Sequence, residues 1–124
     1  MAGAFRHLMV NVVDFEDSKR FYDRILGFLG YTLAHGSDTY AMWNPDRGGC
    51  SFGIRLVDPS MVDDPYVRGG AGWDHLAFNA DSREQVDALY DLLKDLEAVV
   101  LDQPARVPSI ARPTTLSTSR IPTG

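Results

Sequence analysis

Two histidines occupy equivalent places in two similar stretches of this sequence, and their residue type and spacing suggest chemistry. His7 lies in "FRHLMVNV", and His75 lies in "WDHLAFNA", 68 residues further along (75 − 7). Imidazole is the commonest metal ligand in proteins and also transfers protons near neutral pH. A single histidine on a strand is more often a hydrogen-bonded core residue, but two at matching positions favour a metal or substrate role.

The similarity extends beyond the histidines to an ungapped internal repeat. Each copy has an aromatic residue before its histidine, an asparagine after it, and a Tyr-Asp pair in the segment that follows. Such a repeat predicts two copies of one structural unit. The matched pairs include Phe5 with Trp73, Leu8 with Leu76, Asn11 with Asn79, Tyr22 with Tyr90, and Asp23 with Asp91.

Each copy predicts a strand followed by an amphipathic helix. Period-two alternation predicts that the aliphatic side chains of each strand face the helix, while the other side chains could line a cavity. The helix-facing sets are Leu8, Val10 and Val12, and Leu76 and Phe78; the opposite sets are Phe5, His7, Met9 and Asn11, and Trp73, His75, Ala77 and Asn79. We expect Asp17 or Ser18 to cap the first helix and Asp81 or Ser82 the second.

Three more strands are predicted between the two copies. They are "YTLAH", "TYAMWN" and "CSFGIRLVD", separated by glycine- and proline-containing turns. The sequence therefore predicts one domain over 1–124: a first module at 5–57, a connection at 58–71, the start of a second module at 72–102, and an aberrant tail at 103–124. "AVVLD" (98–102) reads as a further strand, and Glu97 stands before it where a helix-ending glycine is expected.

Two βαβββ modules that each open with a histidine resemble the vicinal oxygen chelate superfamily, which includes glyoxalase I, extradiol dioxygenases, and fosfomycin- and bleomycin-resistance proteins. The resemblance lies in "HLMVNVVDFEDSKRFYDRILGFLG" and "GWDHLAFNADSREQVDALYDLL". It implies an α+β fold of two tandem βαβββ modules with curled mixed sheets, the second module here being incomplete.

The resemblance also implies a divalent metal, Zn, Ni, Fe or Mn, with His7 and His75 as its ligands. Metal-binding members usually add a glutamate from the fourth strand, but "CSFGIRLVD" contains no glutamate. Arg55 on that strand suggests an anionic substrate group, or else an arginine at the rim of the sheet. No catalytic residue can be assigned; the candidate substrate-binding residues are Met9, Asn11, Phe52, Arg55, Trp73 and Asn79.

Three functions remain open from the sequence. The first is a metal-dependent lyase, isomerase or dioxygenase that acts on a small oxygen-rich molecule. The second is a metal-free pocket that binds a drug or metabolite, as bleomycin-resistance proteins do. Its aromatic and thioether walls would come from Phe5, Tyr40, Met42, Trp43, Phe52 and Trp73. The third is an inactive chain. The resemblance also predicts a homodimer.

The tail 105–124 differs from the rest of the chain, since it contains no acidic and no aromatic residue. Reading the possible codons of Pro113 to Gly124 in another frame allows "YYAVYFEDPDG", which resembles the missing strands and turn. Our hypothesis is that the reading frame changes between Gln103 and Pro113. A chain without those strands is expected to be marginally stable unless 114–118 or a partner replaces them.

Charge and composition exclude some classes of partner. The net charge is −5, and the basic residues of the tail, Arg106, Arg112 and Arg120, are sparse, so nucleic acid is not expected as a partner. No apolar run is long enough to span a bilayer, and the first residues do not resemble a signal peptide. Cys50 is the only cysteine, which fits a reducing compartment. We expect a cytoplasmic protein that binds a small molecule.

Overall fold

The computed structural model describes residues 2–61, 70–73, 75–101 and 103–105, and these fall into two compact units that divide between residues 61 and 70. Within these described ranges, the first unit contains one α-helix and a four-stranded sheet, and the second contains one α-helix. The predicted α+β class is thereby confirmed. None of the helices in the described ranges has the length and apolar character needed to cross a membrane.

The first unit has the predicted order of one strand, one helix and three strands. The elements are β1 (His7–Val12), α1 (Phe15–Phe28), β2 (Tyr31–Gly36), β3 (Tyr40–Pro45) and β4 (Ser51–Leu56), followed by a 3₁₀ turn at Pro59–Met61. The sheet order is β1-β4-β3-β2. β1 runs parallel to β4, and the other neighbours are antiparallel. β4 is therefore an interior strand with a partner on each side.

The first helix begins one turn earlier than predicted. Its N-cap is Asp14, whose side chain accepts a hydrogen bond from the backbone N–H of Asp17 at 3.0 Å. The prediction of Asp17 or Ser18 as the cap was wrong because Phe15 and Ser18 are both buried on the inner side of the helix. The apolar stripe thus starts at Phe15, directly after the cap.

The aromatic core of the first unit joins α1 to the sheet. The Tyr22 ring lies 4.9 Å from the Phe52 ring and 6.3 Å from the Trp43 ring, measured between centroids. Burial raises the pKa of Tyr22 to about 12. The indole N–H of Trp43 donates to Asp23 at 2.7 Å, and the other oxygen of that carboxylate accepts from Lys19 at 3.1 Å.

The second unit forms the predicted helix, α2 (Arg83–Asp95), with Ser82 as its N-cap. The Ser82 hydroxyl accepts from the backbone N–H of Gln85 at 3.1 Å, and the Gln85 side chain accepts from the backbone N–H of Asp81 at 2.6 Å. These two reciprocal bonds satisfy free N–H groups at the start of the helix in the manner of a capping box. Of the two predicted caps, Ser82 is the one observed.

The predicted strands of the second copy are not strands. Residues 75–80 and 98–101 have no strand assignment, although 75–80 keep the predicted alternation, with Leu76 and Phe78 more buried than His75 and Asn79. A strand is stabilised by ladder hydrogen bonds to a neighbouring strand, and the described residues of this unit include no strand that could pair with either segment. The proposed frame change and the segment 114–118 lie outside the described residues.

We predict that Asp23→Ala lowers the free energy of unfolding by about 1–3 kcal/mol, because it leaves the buried Trp43 N–H without an acceptor. Urea unfolding measures the loss. Asp91→Ala is the matched control, since this repeat equivalent pairs with Lys94 at the surface, where the Asp91 side chain is 71% exposed. The control should lose less than about 0.5 kcal/mol; equal losses would contradict a special role for Asp23.

We predict that Glu97→Gly stabilises the chain by about 1 kcal/mol. Glu97 follows α2 in the left-handed region, with φ 54°, where the backbone N–H of Ala98 bonds the Leu93 carbonyl at 2.9 Å. Only glycine adopts this conformation at little cost. Thermal unfolding should show a higher midpoint for Glu97→Gly and a lower one for Ala88→Gly, an exposed position inside the same helix. A lower midpoint for both would refute the prediction.

Candidate functional site

The helix α1 covers one side of the four-stranded sheet, and His7, Met9, Asn11 and Arg55 lie on the other side. Residues in register share a side, so the pairing assigns each strand residue to the helix-facing side or to the opposite one. We call the opposite side the open face. It carries His7, Met9, Asn11, Thr32, His35, Tyr40, Met42, Asn44, Ser51, Gly53 and Arg55.

The first row across the open face is polar. His7 at the start of β1 is exposed and in register with Ser51 on β4. The Ser51 hydroxyl donates to the Asn44 side-chain oxygen on β3 at 2.8 Å. Beyond it, the Thr32 hydroxyl donates to Asp46 in the turn after β3, also at 2.8 Å. This row offers one imidazole together with neutral hydroxyl and amide groups.

The second row is apolar and closely packed. Met9, Gly53 and Met42 are in register on β1, β4 and β3, with His35 next on β2. The Met9 side chain lies over Gly53, where a Cβ atom would collide with its sulfur and would also come within 3.0 Å of the Ala41 carbonyl oxygen. Gly53 is therefore required for Met9 to lie flat on the sheet. Methionine is flexible, so this part of the open face can adapt to a ligand.

The third row contains a charged group. Asn11, Arg55 and Tyr40 are in register on β1, β4 and β3. The Arg55 guanidinium carbon lies 5.6 Å from the centre of the Tyr40 ring, within the range of a cation–π interaction. Asn11 and Arg55 are exposed, and Tyr40 is half-buried. Because β4 is an interior strand, Arg55 is flanked on both sides and does not lie on an edge strand.

The residues of the open face do not fit a divalent metal site on their own. Four-coordinate zinc sites usually take three or more protein ligands, and Fe and Mn sites commonly add carboxylates. The face supplies His7 from β1 and His35 from β2 at the opposite edge, three strand spacings or roughly 14 Å apart. Among all described residues, no group of three or more His, Cys, Asp or Glu side chains could hold a metal ion.

The remaining sequence candidates belong to the second unit. His75 and Asn79 are exposed, and Trp73 retains 52% of its surface. They precede α2 in the segment that follows the left-handed Gly72. Trp73, His75 and Asn79 thus lie on one short segment, of which residues 75–80 are not in a strand. Their role in a site remains a prediction.

Phe52 does not belong with the other substrate-binding candidates. Its side chain is 3% exposed and packs against Tyr22 on the helix-facing side of β4. Trp43, considered as an aromatic wall, is also on that side and 1% exposed. The correction follows from register, because Phe52 and Trp43 alternate with Gly53 and Met42 along their strands. The open face instead gains Asn44 and Ser51, which the sequence analysis missed.

His35 has no histidine counterpart in the second copy of the repeat. The structure puts it in register with Met42, on the open face at the β2 edge. A bulge between Leu33 and His35 causes this, because it shifts the register by one residue and reverses the side to which the later residues belong. No sequence signal for this bulge stands out, since "LAH" contains neither glycine nor proline.

A comparison with family models matches residues 4–114 to the Glyoxalase/Bleomycin resistance protein/Dioxygenase superfamily. The chain is similar to the uncharacterised protein YqjT of Bacillus subtilis, with 33% identity over 89 residues. That match covers 70% of this chain and 66% of the relative, slightly less than two thirds of its length.

The chain is also similar in fold to several solved structures. A putative glyoxalase from Bacillus halodurans superposes with a TM-score of 0.75 at 30% identity, over 81% of this chain and 74% of that one. A glyoxalase/bleomycin resistance protein from Albidiferax ferrireducens gives 0.61 at 30% identity, over 81% and 75%. Lactoylglutathione lyase from Agrobacterium tumefaciens gives 0.60 at 21% identity, over 87% and 80%, a likeness of fold alone.

We predict that Gly53→Ala destabilises the chain by about 1–3 kcal/mol, because the new methyl group displaces Met9 and crowds the Ala41 carbonyl. Urea unfolding of Gly53→Ala, Met9→Ala and the double variant provides the test. The free energy of unfolding of the double variant should fall by less than the sum of the two single losses, because Met9→Ala removes the clash between the new methyl group and the Met9 side chain. Strictly additive losses would show that Met9 does not lie over Gly53.

Proposed function

This chain belongs to the Glyoxalase/Bleomycin resistance protein/Dioxygenase superfamily, and from that premise we propose that it binds a small oxygen-rich molecule on the open face of its first unit. The observation that carries the proposal is the difference between the two sides of the sheet. One side is filled by the aromatic core under α1. The other presents exposed His7, Asn11 and Arg55 around an adaptable methionine pair.

The donors of the open face suit oxygen atoms. Asn11 offers an amide N–H₂ group and Arg55 a guanidinium group, while His7 offers a ring nitrogen at the other end of β1. These polar groups lie on both sides of the Met9–Gly53–Met42 row. A ligand placed along β1 and β4 would therefore meet hydrogen-bond donors at each end and thioether surface between them. A few polar groups placed around an adaptable apolar centre are typical of small-molecule binding sites.

A metal-dependent lyase, isomerase or dioxygenase is the second candidate. It is favoured by the equivalent places of His7 and His75 in the two copies and by the family, in which a divalent metal polarises substrate oxygens. It is weakened by the open face of β4, which offers Ser51, Gly53 and Arg55 and no carboxylate. We assign no catalytic step to this chain. A homodimer and a cytoplasmic location also remain proposals.

We predict that the full chain, purified from medium supplemented with Zn, Ni, Fe and Mn, retains well under one metal ion per chain after dialysis. The described residues supply too few ligands for tight binding. In the same preparation, a set of oxygen-rich fragments should shift the backbone amide NMR signals of Asn11, Gly53 and Arg55. The signal of Arg24, exposed on α1, should not move.

Other results would decide among the alternatives. One metal ion per chain, lost in both His7→Ala and His75→Ala, would contradict metal-free binding and favour the enzyme. Neither metal nor fragment binding would contradict the proposal and leave the inactive chain. Restoring the alternative frame after Gln103 should then recover binding and raise the unfolding midpoint.

A further inference from the structure

We infer that Arg55, with Asn11 and Tyr40 on either side, holds an oxyanion of the bound molecule, either a carboxylate or a phosphoryl group. The inference rests on the proposed small-molecule function and names the chemical class of the ligand. It depends on three properties of the third row: the interior position of Arg55, its lack of a carboxylate partner, and the charge of the surrounding face.

Arg55 lies on an interior strand, close to the end of the sheet where β4 finishes. The Cα atoms of residues in register lie about 5 Å apart, so Asn11 on β1 and Tyr40 on β3 border Arg55 closely. Tyr40 lies under the guanidinium at 5.6 Å from ring centre to carbon. Stacking on a ring leaves the planar N–H groups of arginine available for a bidentate contact with an oxyanion.

Arg55 has no acidic partner in the described part of the chain. The ion pairs there involve Lys19, Arg20 and Lys94, each with an aspartate on its own helix. None involves Arg55, whose guanidinium lies over the Tyr40 ring. A surface arginine in a chain with 17 acidic and 12 basic residues has many possible partners. An arginine over a tyrosine ring that forms no ion pair within the described part of the chain therefore suggests recognition of an external anion.

The strand residues of the open face around Arg55 also lack acidic side chains. The strand residues of the open face include His7, His35 and Arg55 but no Asp or Glu. The nearest acid along the first row is Asp46, which lies in a turn and accepts from Thr32. The strands of this face thus carry cationic but no anionic side chains, a distribution that suits an anion better than a cation. The amide of Asn11 would add a neutral donor, giving three or more N–H groups to one oxyanion.

The test uses three probes of similar shape, benzoate, phenyl phosphate and neutral benzamide, titrated into the full ¹⁵N-labelled chain at constant ionic strength. We expect at least one of the two anions to bind ten times more tightly than benzamide or better, with the largest shifts at Asn11 and Arg55. The tighter of the two anions identifies the group as carboxylate or phosphoryl.

Variants separate the site from a general effect of charge. Arg55→Gln should weaken anion binding at least tenfold and leave benzamide unchanged, while Arg55→Lys should recover part of the loss because it restores charge without the planar fork. Arg24→Gln, the same charge change on the exposed side of α1, should have no effect. Circular dichroism confirms that each variant is folded.

Two outcomes would overturn the inference. An equal loss in Arg24→Gln and Arg55→Gln would show attraction by overall charge and not by the third row. Benzamide that shifts open-face signals as strongly as the anions would overturn the oxyanion but retain the proposed function. No shift of any open-face signal with any probe or with the fragment set would refute both.

Discussion

The hydrogen bond from Trp43 to Asp23 helps to fix which side of the sheet α1 covers. The indole N–H is buried, where an unpaired donor would cost about 1–3 kcal/mol, and Asp23 on α1 accepts it at 2.7 Å. Lys19 shares the charge of that carboxylate. The helix is thereby held against β3 at a defined position, with Tyr22 packed between Trp43 and Phe52. The strand residues on the other side of the sheet are not covered by α1, and they form the open face.

The repeat shows how the same pair of residues can have a different role in another setting. Tyr90 and Asp91 correspond to Tyr22 and Asp23, but both contact Lys94: Asp91 at 3.1 Å and the Tyr90 ring at 4.6 Å. These are contacts within one helix, and they need no neighbouring strand. Tyr22 and Asp23 are structural because the first unit has a β3 that supplies Trp43.

Local sequence patterns predicted the helices and the strands of the first unit, and strand pairing determined the features that these patterns could not predict. Alternation predicted β1 with His7, Met9 and Asn11 on one side, which the sequence alone determines. It also predicted a strand at 73–80. The alternation of burial is present at 75–80 without the strand, because a ladder depends on residues elsewhere. The wrong assignment of Phe52 to the ligand side has the same origin. The alternation of side chains along β4 could be predicted from the sequence, but which set faces α1 depends on the register of β4 with β1 and β3.

The absence of carboxylates on the open face links the question of metal to the question of ligand charge. A glutamate on β4 would provide a metal ligand and would also neutralise a nearby arginine. With Ser51, Gly53 and Arg55 in its place, the face loses a ligand for a cation and keeps a positive charge that forms no ion pair within the described ranges. Both effects favour an anion over a cation. A divalent ion would add positive charge to a face that lacks acids, whereas an oxyanion would balance the positive charge of Arg55. The composition of one strand therefore favours an anionic ligand over a bound metal in the first unit.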